Sequence, residues 1–533
     1  MSLDPVQNSN DLHADWRPAH SPWIIAVTVM IATFMEVLDT SIANVALPHI
    51  AGNLSASIDE STWVLTSYLV ANAIILPLSG WFSMLFGRKR FYIACVAMFT
   101  ITSLLCGLAP NIETLVLFRI LQGASGGALQ PISQSILVES FEPKRRGMAM
   151  AVYGMGIVFA PIIGPTLGGW ITDNYSWRWI FLINIPVGFL SIALTGMLIK
   201  DPPFLIRKTF KTGLKIDFIG LGLLSVGLGA LQIMLDKGQR EDWFASQFIN
   251  SLAIIAVVCL IAVVIWELRH SQPVVDLKLL KDRNFSAAVF MIFFVGFVLY
   301  GSTVLLPIYL QTLLGYNATL SGLVLSPGGI VTLCTMPIVG LLLSKVQARW
   351  LVIVGLVIGA IGLFESTRFS LQTSFAHAVW ARIIISASLG FLFVPINSVA
   401  YHFLAKTQYD QASGLVNLSR NLGGSFGISF VTTILARRTQ FHQARLTDHV
   451  NDYNPAYREM SANAHDAIIA QGTNAYTAAM QAKSLIYSLV QREAAMLSFI
   501  DAFWLLGILF LAIIPLVFVM RSTANEKVHV QGH

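Results

Sequence analysis

Charge is scarce in this sequence. Only 12% of its 533 residues are Asp, Glu, Lys or Arg, whereas 55% are hydrophobic. A soluble domain carries roughly 25% charged residues, so a soluble enzyme or binding module is excluded. Apolar runs of about 20 residues recur along the chain, and each matches a helix that crosses a hydrocarbon core of about 30 Å. Because the runs are continuous rather than alternating, barrel strands are also excluded. The sequence therefore predicts an all-α polytopic membrane protein.

Cysteine is equally sparse. The four cysteines, Cys95, Cys106, Cys259 and Cys334, all fall within predicted spans. Their spacing suits neither a disulfide framework nor a metal site, and we interpret them as small packing residues.

Several functional signals are missing. There is no Gly-Lys-Ser/Thr loop to hold phosphates, so we expect no nucleotide or other cofactor. We expect a proton gradient, rather than ATP, to be the energy source. We find no nucleophile–base pair and no metal-ligand cluster, so no catalytic or metal residues are assigned. The formal charge of +6 is not accompanied by a basic domain, so a nucleic-acid partner is not expected. Residues 1–21 are polar and do not resemble a signal peptide, so the first span is predicted to be retained.

About fourteen spans are predicted, near 23–47, 62–84, 91–109, 113–138, 147–171, 179–199, 216–235, 247–266, 286–310, 319–343, 350–366, 377–400, 413–436 and 497–520. Lys and Arg concentrate in loops after even-numbered spans, such as Arg88–Arg90 and Lys144–Arg146. Two short loops after odd-numbered spans, Pro48–Ser61 and Gln311–Ala318, contain neither residue. Cytoplasmic loops are enriched in Lys and Arg, so both termini are predicted to be cytoplasmic.

The spans suggest two bundles with an insertion. We predict a cytoplasmic tail at 1–21, an N-terminal six-helix bundle at 22–199, cytoplasmic loops with inserted helices seven and eight at 200–283, a C-terminal six-helix bundle at 284–520, and a cytoplasmic tail at 521–533. Within the second bundle, segment 437–496 is polar and rich in Ala and Gln. Asn454-Pro455 is typical of a helix start, so this segment is predicted to be helical, extracytoplasmic and an extension of the last two spans.

The two bundles resemble each other in sequence. Pro77 and Gly80 are echoed by Pro337 and Gly340 at an offset near 260 residues. In the same order, Arg119 and Pro131 are echoed by Arg382 and Pro395, and Pro48 is echoed by Pro307. A parallel repeat of two bundles is typical of transporters that rock one half against the other.

Charged residues inside the spans are the principal functional candidates. Glu36 and Asp39 lie in the first span and Arg119 in the fourth. A charge at mid-span costs roughly 2.5–3.5 kcal/mol on insertion scales, so such residues usually serve a transport pathway. Their three-residue separation puts both carboxylates on one helix face, where close like charges favour protonation of one of them. Arg119 cannot deprotonate and is predicted to pair with a carboxylate in one conformation; a static ion pair that fixes spans one and four is the alternative.

Two further arginines lie within predicted spans. Arg382 and Arg420 are weaker candidates for buried charges. Either could instead lie near a membrane face and extend its charged end to water.

Several segments resemble motifs of the major facilitator superfamily. Leu38–Pro48 is similar to the first-span signature of its fourteen-span drug:proton antiporters, the EmrB/QacA-like group. Arg119–Gly123 resembles the fourth-span motif and Gly154–Gly169 the antiporter motif, while Trp177–Pro186 and Arg420–Gly424 also resemble this group. The resemblance implies the major facilitator fold and proton-coupled export of drugs from the cytoplasm.

The resemblance also assigns roles to individual residues. It implies that the span-five motif controls the interface between the halves and the leak of protons, through Gly154, Gly156, Pro161, Gly164, Pro165, Gly168 and Gly169. Glycine permits close helix approach, and proline permits local bending.

The loop between spans two and three departs from the superfamily pattern. The residues that match its gating motif are Gly80, Gly87, Arg88 and Lys89. Met84 stands where that pattern has an acidic residue, and Leu85 where it has a basic one. The cytoplasmic charge latch that the resemblance implies is therefore in doubt in this half.

A hydrophobic substrate cavity is the remaining candidate site. Met and aromatic side chains form adaptable walls, and the candidates are Tyr68, Tyr153, Met155, Phe297, Tyr300, Met336 and Phe391. Core packing or lipid contact is the alternative for each of them.

The sequence thus predicts a proton-driven exporter of lipophilic or amphipathic drugs in the bacterial inner membrane, with a role in antibiotic resistance. Segment 437–496 is expected to meet a periplasmic adaptor and, through it, an outer-membrane channel. Two alternatives remain open. A dedicated exporter of one metabolite or siderophore would show a narrow substrate profile, and a non-transporting receptor or scaffold would show no proton-linked flux.

Overall fold

The first half of the chain folds into eight helices. The computed structural model describes residues 18–142, 145–202, 217–270, 273–402 and 404–520. The helices of the first half are α1 (Pro22–Asn53), α2 (Ile58–Phe86), α3 (Arg88–Gly107), α4 (Ile112–Gly126), α5 (Leu129–Ser140), α6 (Arg146–Asn174), α7 (Trp179–Leu182) and α8 (Asn184–Leu198). Most of the predicted tail 1–21, all of the tail 521–533 and the basic loop 203–216 lie outside the described residues.

The second half is built in the same way after an inserted pair of helices. The pair is α9 (Phe218–Lys237) and α10 (Gln247–Arg269). The following helices are α11 (Arg283–Thr312), α12 (Ala318–Leu342), α13 (Ala348–Ser366), α14 (Phe375–Ala400), α15 (Tyr409–Thr447), α16 (Pro455–Ile469), α17 (Ala475–Ala512) and α18 (Ile514–Val517). No strand occurs in the described ranges, which confirms the all-α prediction.

Each predicted span coincides with a helix or with a pair of consecutive helices. Twelve stretches of the described chain are individually long and apolar enough to cross a membrane. The two other predicted spans lie on α4–α5 and within α15. The protein is therefore a multi-pass membrane protein.

Three predicted spans are interrupted, and this corrects the sequence prediction. The span at 497–520 is divided between α17 and α18 at Ile513. The span at 113–138 is divided between α4 and α5 at Gly127-Ala128. A Cβ at Gly127 would lie 3.1 Å from the Asn72 Cα, so close packing on α2 requires a residue with poor helix propensity there. The span at 179–199 breaks at Ile183 because Pro186 cannot supply a helical N–H and its ring clashes with the preceding turn.

The long segment before the last span is helical, as predicted. Helix α15 continues to Thr447, α16 forms a separate helix, and α17 begins at Ala475. The predicted start at Asn454-Pro455 is confirmed, since the Asn454 Oδ1 accepts a hydrogen bond from the Ala456 N–H at 3.0 Å and Pro455 is the first helical residue.

The two halves meet along a small set of helices. Helix α6 of the first half packs against α12 and α14, while α2 and α5 pack against α15. The inserted helix α9 contacts both α2 and α15. Side chains from α2, α5, α6, α12, α14 and α15 therefore define the boundary between the two halves.

Candidate functional site

Asp39 and Arg119 form a buried ion pair inside the first half. The Arg119 Nη1 lies 2.5 Å from the Asp39 Oδ2, and both side chains are fully buried. The guanidinium also donates from Nε to the Val64 carbonyl at 3.0 Å and lies 4.2 Å from the centre of the Tyr68 ring. These contacts fix Arg119 between α1, α2 and α4.

Neutral side chains complete the environment of Asp39. The Asp39 Oδ1 accepts hydrogen bonds from Gln122 at 3.0 Å and from Asn184 at 2.8 Å. Both amides also donate to the Ser103 hydroxyl. Asp39 thus has a complete set of partners within the first half, as a buried charge requires.

Glu36 lies one helical turn earlier and has different partners. Its Oε1 accepts from the Tyr68 hydroxyl at 3.3 Å and from Asn72 at 3.1 Å, while its Oε2 accepts from Gln130 at 2.6 Å. All of these donors are neutral. Glu36 is only 3% exposed, and none of its direct hydrogen-bond partners among the described residues is a cation.

The network of Glu36 continues into the second half. The Gln130 Oε1 accepts a hydrogen bond from Arg420 of α15, and Arg420 also donates to the Asn417 Oδ1 at 2.7 Å. Asn417 donates to the Gln134 Oε1 at 2.6 Å. A chain of hydrogen bonds therefore joins a carboxylate of α1 to an arginine of α15 across the boundary of the halves.

A second polar link across the boundary lies beside this chain. Gln134 of α5 donates to the Asn397 Oδ1 of α14 at 2.5 Å. Asn397 in turn donates to the Phe393 carbonyl at 2.7 Å. The boundary near Glu36 is thus held by amide side chains as well as by apolar packing.

The structure separates the two carboxylates that the sequence predicted to act as a pair. Asp39 bonds to Arg119, whereas Glu36 bonds to donors that lead across the boundary. Tyr68 lies between the two networks, since its ring faces Arg119 and its hydroxyl bonds to Glu36. The two residues share a helix face but have no hydrogen-bond donor in common.

Sequence reasoning missed the amides that connect these charges: Asn72, Gln122, Gln130, Gln134, Asn184, Asn397 and Asn417. All are buried or half-buried. An available signal was the occurrence of Asn and Gln in otherwise apolar spans, because a buried amide needs polar partners.

Arg88 forms an ion cluster at the predicted cytoplasmic end. It pairs with Glu139 of α5 and with Asp410 of α15, the second at 3.0 Å. Asp410 also accepts from the Ser83 hydroxyl at 2.8 Å and from Ser135. Arg88, Glu139 and Asp410 are at most 7% exposed. A charged contact between the halves therefore exists without an acidic residue at Met84, because α15 supplies the carboxylate.

The other residues of the gating motif support this contact. A Cβ at Gly80 would lie 2.8 Å from the Gln411 backbone nitrogen, so α2 and α15 approach closely there. Gly87 has a φ of +84°, which favours glycine at the turn between α2 and α3. Lys89 donates from its backbone N–H to Asp201 at 2.7 Å and from its side chain to the Gly196 carbonyl at 2.6 Å, so it does not join the Arg88 cluster.

The glycines of α6 face several neighbours. A Cβ at Gly154 would lie 2.9 Å from the Phe393 ring and 3.0 Å from the Met336 Sδ, both in the second half. A Cβ at Gly164 or Gly168 would meet Ser41 or Ile42 of α1.

The remaining motif residues of α6 differ in their surroundings. A Cβ at Gly156 would lie 2.6 Å from the Met30 Cγ. Pro161 and Pro165 lie inside the helix, and the Pro161 carbonyl accepts from Ser41 at 3.4 Å. A Cβ at Gly169 would have no described neighbour within 4 Å, so close packing does not explain this glycine, and this corrects our expectation for the motif.

The predicted substrate-cavity residues do not form one wall. Tyr68 and Tyr153 belong to the Glu36 network, since the Tyr153 hydroxyl donates to the Gln130 carbonyl at 2.9 Å. Met336 packs at the boundary beside Gly154, and Met155 is half-buried against the core.

The other three candidates belong to packing within the second half. Phe297 and Tyr300 of α11 face α15, and Phe391 of α14 faces Gly355 of α13. For these three residues the alternative of core packing fits better than a cavity wall.

Both weaker arginine candidates are buried in protein. Arg382 is 5% exposed and Arg420 is 7% exposed. This excludes the alternative in which they extend to a membrane face. Arg420 has the partners given above, whereas the Nε and Nη1 atoms of Arg382 have no hydrogen-bond partner among the described residues.

Two helix bundles with charged networks inside the first half and across the boundary define a membrane transport protein rather than an enzyme. Residues 29–428 match the family model described as Major Facilitator Superfamily, and the chain belongs to this family.

Characterised relatives align over nearly the whole chain. The chain is 38% identical to the fatty acid resistance protein FarB of Neisseria gonorrhoeae over 93% of this chain and 96% of that protein. It is 37% identical to the multidrug export protein EmrB of Escherichia coli K12, over 93% of this chain and 94% of that protein.

Solved structures share the fold at low identity. The human organic anion transporter MFSD10 has a TM-score of 0.61 at 11% identity, with 93% of this chain and all of that chain covered. A double-tryptophan mutant of XylE has a TM-score of 0.61 at 14% identity, with 95% and 97% covered.

Proposed function

We propose that this protein is a proton-coupled antiporter that exports lipophilic or amphipathic compounds from the cytoplasm across the bacterial inner membrane. The names of its relatives, which refer to multidrug export and fatty acid resistance, support this substrate class. The observation that carries the proposal is the hydrogen-bond chain from Glu36 through Gln130 to Arg420, because it links a titratable group to both halves.

Glu36 is the proposed site of proton exchange. A carboxylate accepts hydrogen bonds only, and a protonated carboxyl must donate one. Its neighbour Gln130 donates to Glu36 and accepts from Arg420. Protonation of Glu36 therefore weakens the hydrogen bond that it accepts from the Gln130 amide. The link between the halves that runs through Gln130 becomes weaker as a result.

Asp39 and Arg119 have a different proposed role. Arg119 stays charged in proteins, and its contacts with Asp39, Val64 and Tyr68 lie inside the first half. We assign this pair to holding α1 and α4 together while Glu36 exchanges its proton.

The proton gradient can supply the free energy that shifts the protein between two conformations. One charge that crosses a potential of 100 mV releases about 2.3 kcal/mol. A factor of ten in population needs about 1.4 kcal/mol. One proton per cycle therefore shifts the balance between two conformations substantially.

The test is proton release from purified protein on addition of lipophilic cations, followed with a pH indicator in weak buffer. We expect release in the wild type and in Asp39→Asn, and none in Glu36→Gln. Glu36→Asp, which retains the titratable group, serves as the matched control and should release protons. Release that persists in Glu36→Gln would contradict the assignment of Glu36.

We further propose that the outer segment formed by the end of α15, by α16 and by the start of α17 meets a periplasmic adaptor of a three-component system. An apolar groove between α16 and α17 supports this, with Met460, Leu485 and Leu489 in its wall. Nearby Tyr453 and Tyr476 are 95% and 80% exposed, and exposed aromatic residues are enriched at protein interfaces.

Photo-crosslinking tests this partner. A photoreactive residue at Leu485 should capture one adaptor protein in cells, whereas the same residue at Trp380, exposed on the membrane-embedded α14, should not. The absence of any Leu485-specific adduct would contradict the adaptor proposal and leave proton coupling untouched.

A further inference from the structure

Arg382 is a buried cation that has no ion-pair partner among the described residues. It lies in the second turn of α14, is 5% exposed, and leaves its Nε and Nη1 without a hydrogen-bond partner among the described residues. A buried charge is costly unless it is paired. The structure therefore contains a strong donor group whose partner is not supplied by the surrounding side chains.

The neighbouring helices carry no available carboxylate. The sequences of α11, α12 and α14 contain neither Asp nor Glu. Helix α13 carries Glu365, but its carboxylate already pairs with Arg368 at 3.0 Å and His377 at 3.2 Å.

The internal repeat shows what is missing. Arg119 and Arg382 occupy corresponding positions in the two halves. Arg119 faces Asp39 of α1, but α11, the counterpart of α1, has no acidic residue. The second half therefore has the corresponding arginine but no corresponding carboxylate on α11.

Close packing on α12 fixes the stem of Arg382. A Cβ at Gly328 of α12 would lie 3.0 Å from the Arg382 Cγ and 3.1 Å from the Ser386 Cβ, so glycine is needed for α12 to approach the arginine stem this closely. Thr332 donates to the Ser386 carbonyl at 2.9 Å. Small residues at the α12–α14 contact thus border the arginine stem, and α12 itself packs against α6 at the boundary of the halves.

We propose that Arg382 binds the carboxylate of an amphipathic acid, so that the second half supplies an anion site for exported substrates. A guanidinium binds a carboxylate through two parallel hydrogen bonds, and the apolar helices beside it accept an alkyl chain. The ligand takes the position that Asp39 occupies beside Arg119. The inference rests on the proposed export function for its physiological meaning, but binding itself requires no proton gradient.

Equilibrium binding to purified protein in phosphatidylcholine nanodiscs tests the site. The probes are dodecanoate, dodecanol and dodecyltrimethylammonium, which share a chain length and differ in charge. We expect the wild type to bind dodecanoate about tenfold more tightly than dodecanol, which is about 1.4 kcal/mol. Arg382→Gln should bind the two equally, Arg382→Lys should keep part of the preference, and the exposed Arg368→Gln should behave as the wild type.

Thermal unfolding gives a second readout. Because Arg382→Gln removes a buried charge without a partner, we expect its unfolding midpoint without ligand to equal or exceed that of the wild type. Dodecanoate should raise the midpoint of the wild type and not that of the variant. A midpoint well below the wild type would mean that Arg382 has a structural partner in the protein and would overturn the proposal.

Two other outcomes would overturn it. The first is an unchanged dodecanoate preference in Arg382→Gln. The second is loss of the wild-type preference when phosphatidylglycerol is added to the nanodiscs, since the ligand would then be a lipid phosphate. Proton release with lipophilic cations is scored separately, so a failure of coupling and a failure of the anion site remain distinguishable.

Discussion

At the scale of residues, the two carboxylates of α1 show how one helical turn changes the chemistry of a group. Asp39 pairs with a fixed cation, whereas the described hydrogen-bond donors to Glu36 are two amides and a phenol. A carboxylate in a buried ion pair must break that contact to take up a proton. One that is surrounded by neutral donors can change protonation state with a smaller rearrangement, and for this reason we assign proton exchange to Glu36.

The Asp39–Arg119 pair should show strong coupling in a double-mutant cycle. Removal of one partner of a buried pair typically costs about 3–5 kcal/mol, because the other charge stays buried. We therefore expect Asp39→Asn and Arg119→Gln each to lower the unfolding midpoint markedly. The double variant should be more stable than either single variant.

Intrinsic tryptophan fluorescence on heating in detergent provides the measurement. Strictly additive losses in the double variant would show that the two side chains do not depend on each other. Glu36→Gln serves as the reference, since its partners are neutral and a smaller loss is expected.

The charged members of the site could be predicted from the sequence, because charge in an apolar run is conspicuous. Their partners could not. Gln130 acquires its role only because α5 packs against α15, and Asp410 only because α15 begins beside Arg88. These contacts join residues that are 290 and 322 positions apart. They depend on how the two halves meet, and the sequence of a single span gives no information on that.

At the scale of elements, α6 has two kinds of contact along one helix. Gly154 faces the second half, while Gly164 and Gly168 face α1. The motif therefore fixes a bundle on one side and forms the boundary on the other.

Alanine substitution should show which glycines of the α6 motif are required for close helix packing. A Cβ at Gly164 would lie 2.5 Å from the Ser41 Cβ, so Gly164→Ala must push α1 and α6 apart. We expect it to lower substrate export by about tenfold or more, in the range that packing strain of about 1–3 kcal/mol allows. Gly169→Ala, where nothing lies within 4 Å, is the matched control and should export normally.

Export is measured as efflux of a fluorescent lipophilic dye from energised cells, normalised to the amount of protein in the membrane. Equal efflux in the two variants would show that the α1–α6 distance is not critical.

The contact of α15 with the turn between α2 and α3 joins the two halves at the predicted cytoplasmic end. Asp410 is the residue that brings the charge of α15 to Arg88. Asp410→Asn should weaken this contact and increase the population in which the predicted cytoplasmic ends separate. Asp466→Asn, an exposed residue of α16, is the control.

Electron–electron distances between spin labels at Arg90→Cys and Ser344→Cys, in a background without native cysteines, report this separation. We expect a longer mean distance in Asp410→Asn. An unchanged distribution would mean that apolar packing alone closes this end.

At the scale of the whole molecule, α9 connects the halves. Ser425 of α15 donates to the Gln232 Oε1 of α9 at 3.0 Å, and Thr66 of α2 donates to Asp236 of the same helix. Helix α10 lies outside α9, and its apolar residues are largely exposed. The inserted pair thus covers one side of the boundary rather than forming a separate unit.

A covalent bridge should reveal whether α9 moves against the second half. Linking Gln232→Cys to Ser425→Cys with a short thiol-reactive linker should inhibit export reversibly. In Gly227→Cys, a Cβ lies 3.1 Å from the Cβ of the native Cys259 of α10, and the same linker should leave export intact because both helices belong to the inserted pair. Full export with the first bridge would place the moving boundary elsewhere.

The architecture followed from hydropathy and the repeat because membrane spans need long apolar runs. Hydropathy and the repeat did not predict the interruptions at Gly127 and Ile183. Each depends on a local contact or on a proline within an otherwise apolar run. The lack of close packing at Gly169 also could not be predicted, because a glycine motif does not indicate which of its members contact another helix.

The distribution of mid-span charge has an electrical consequence. Glu36, Asp39 and Arg119 leave the first half with a net negative charge, while Arg382 and Arg420 give the second half a positive one. These charges form an electric dipole across the boundary of the two halves, and the proton exchange that we propose for Glu36 would reduce it. In the proposed transport cycle, rocking of the halves would move these charges through the membrane field, so a transient capacitive current should accompany each conformational step even before any substrate is carried.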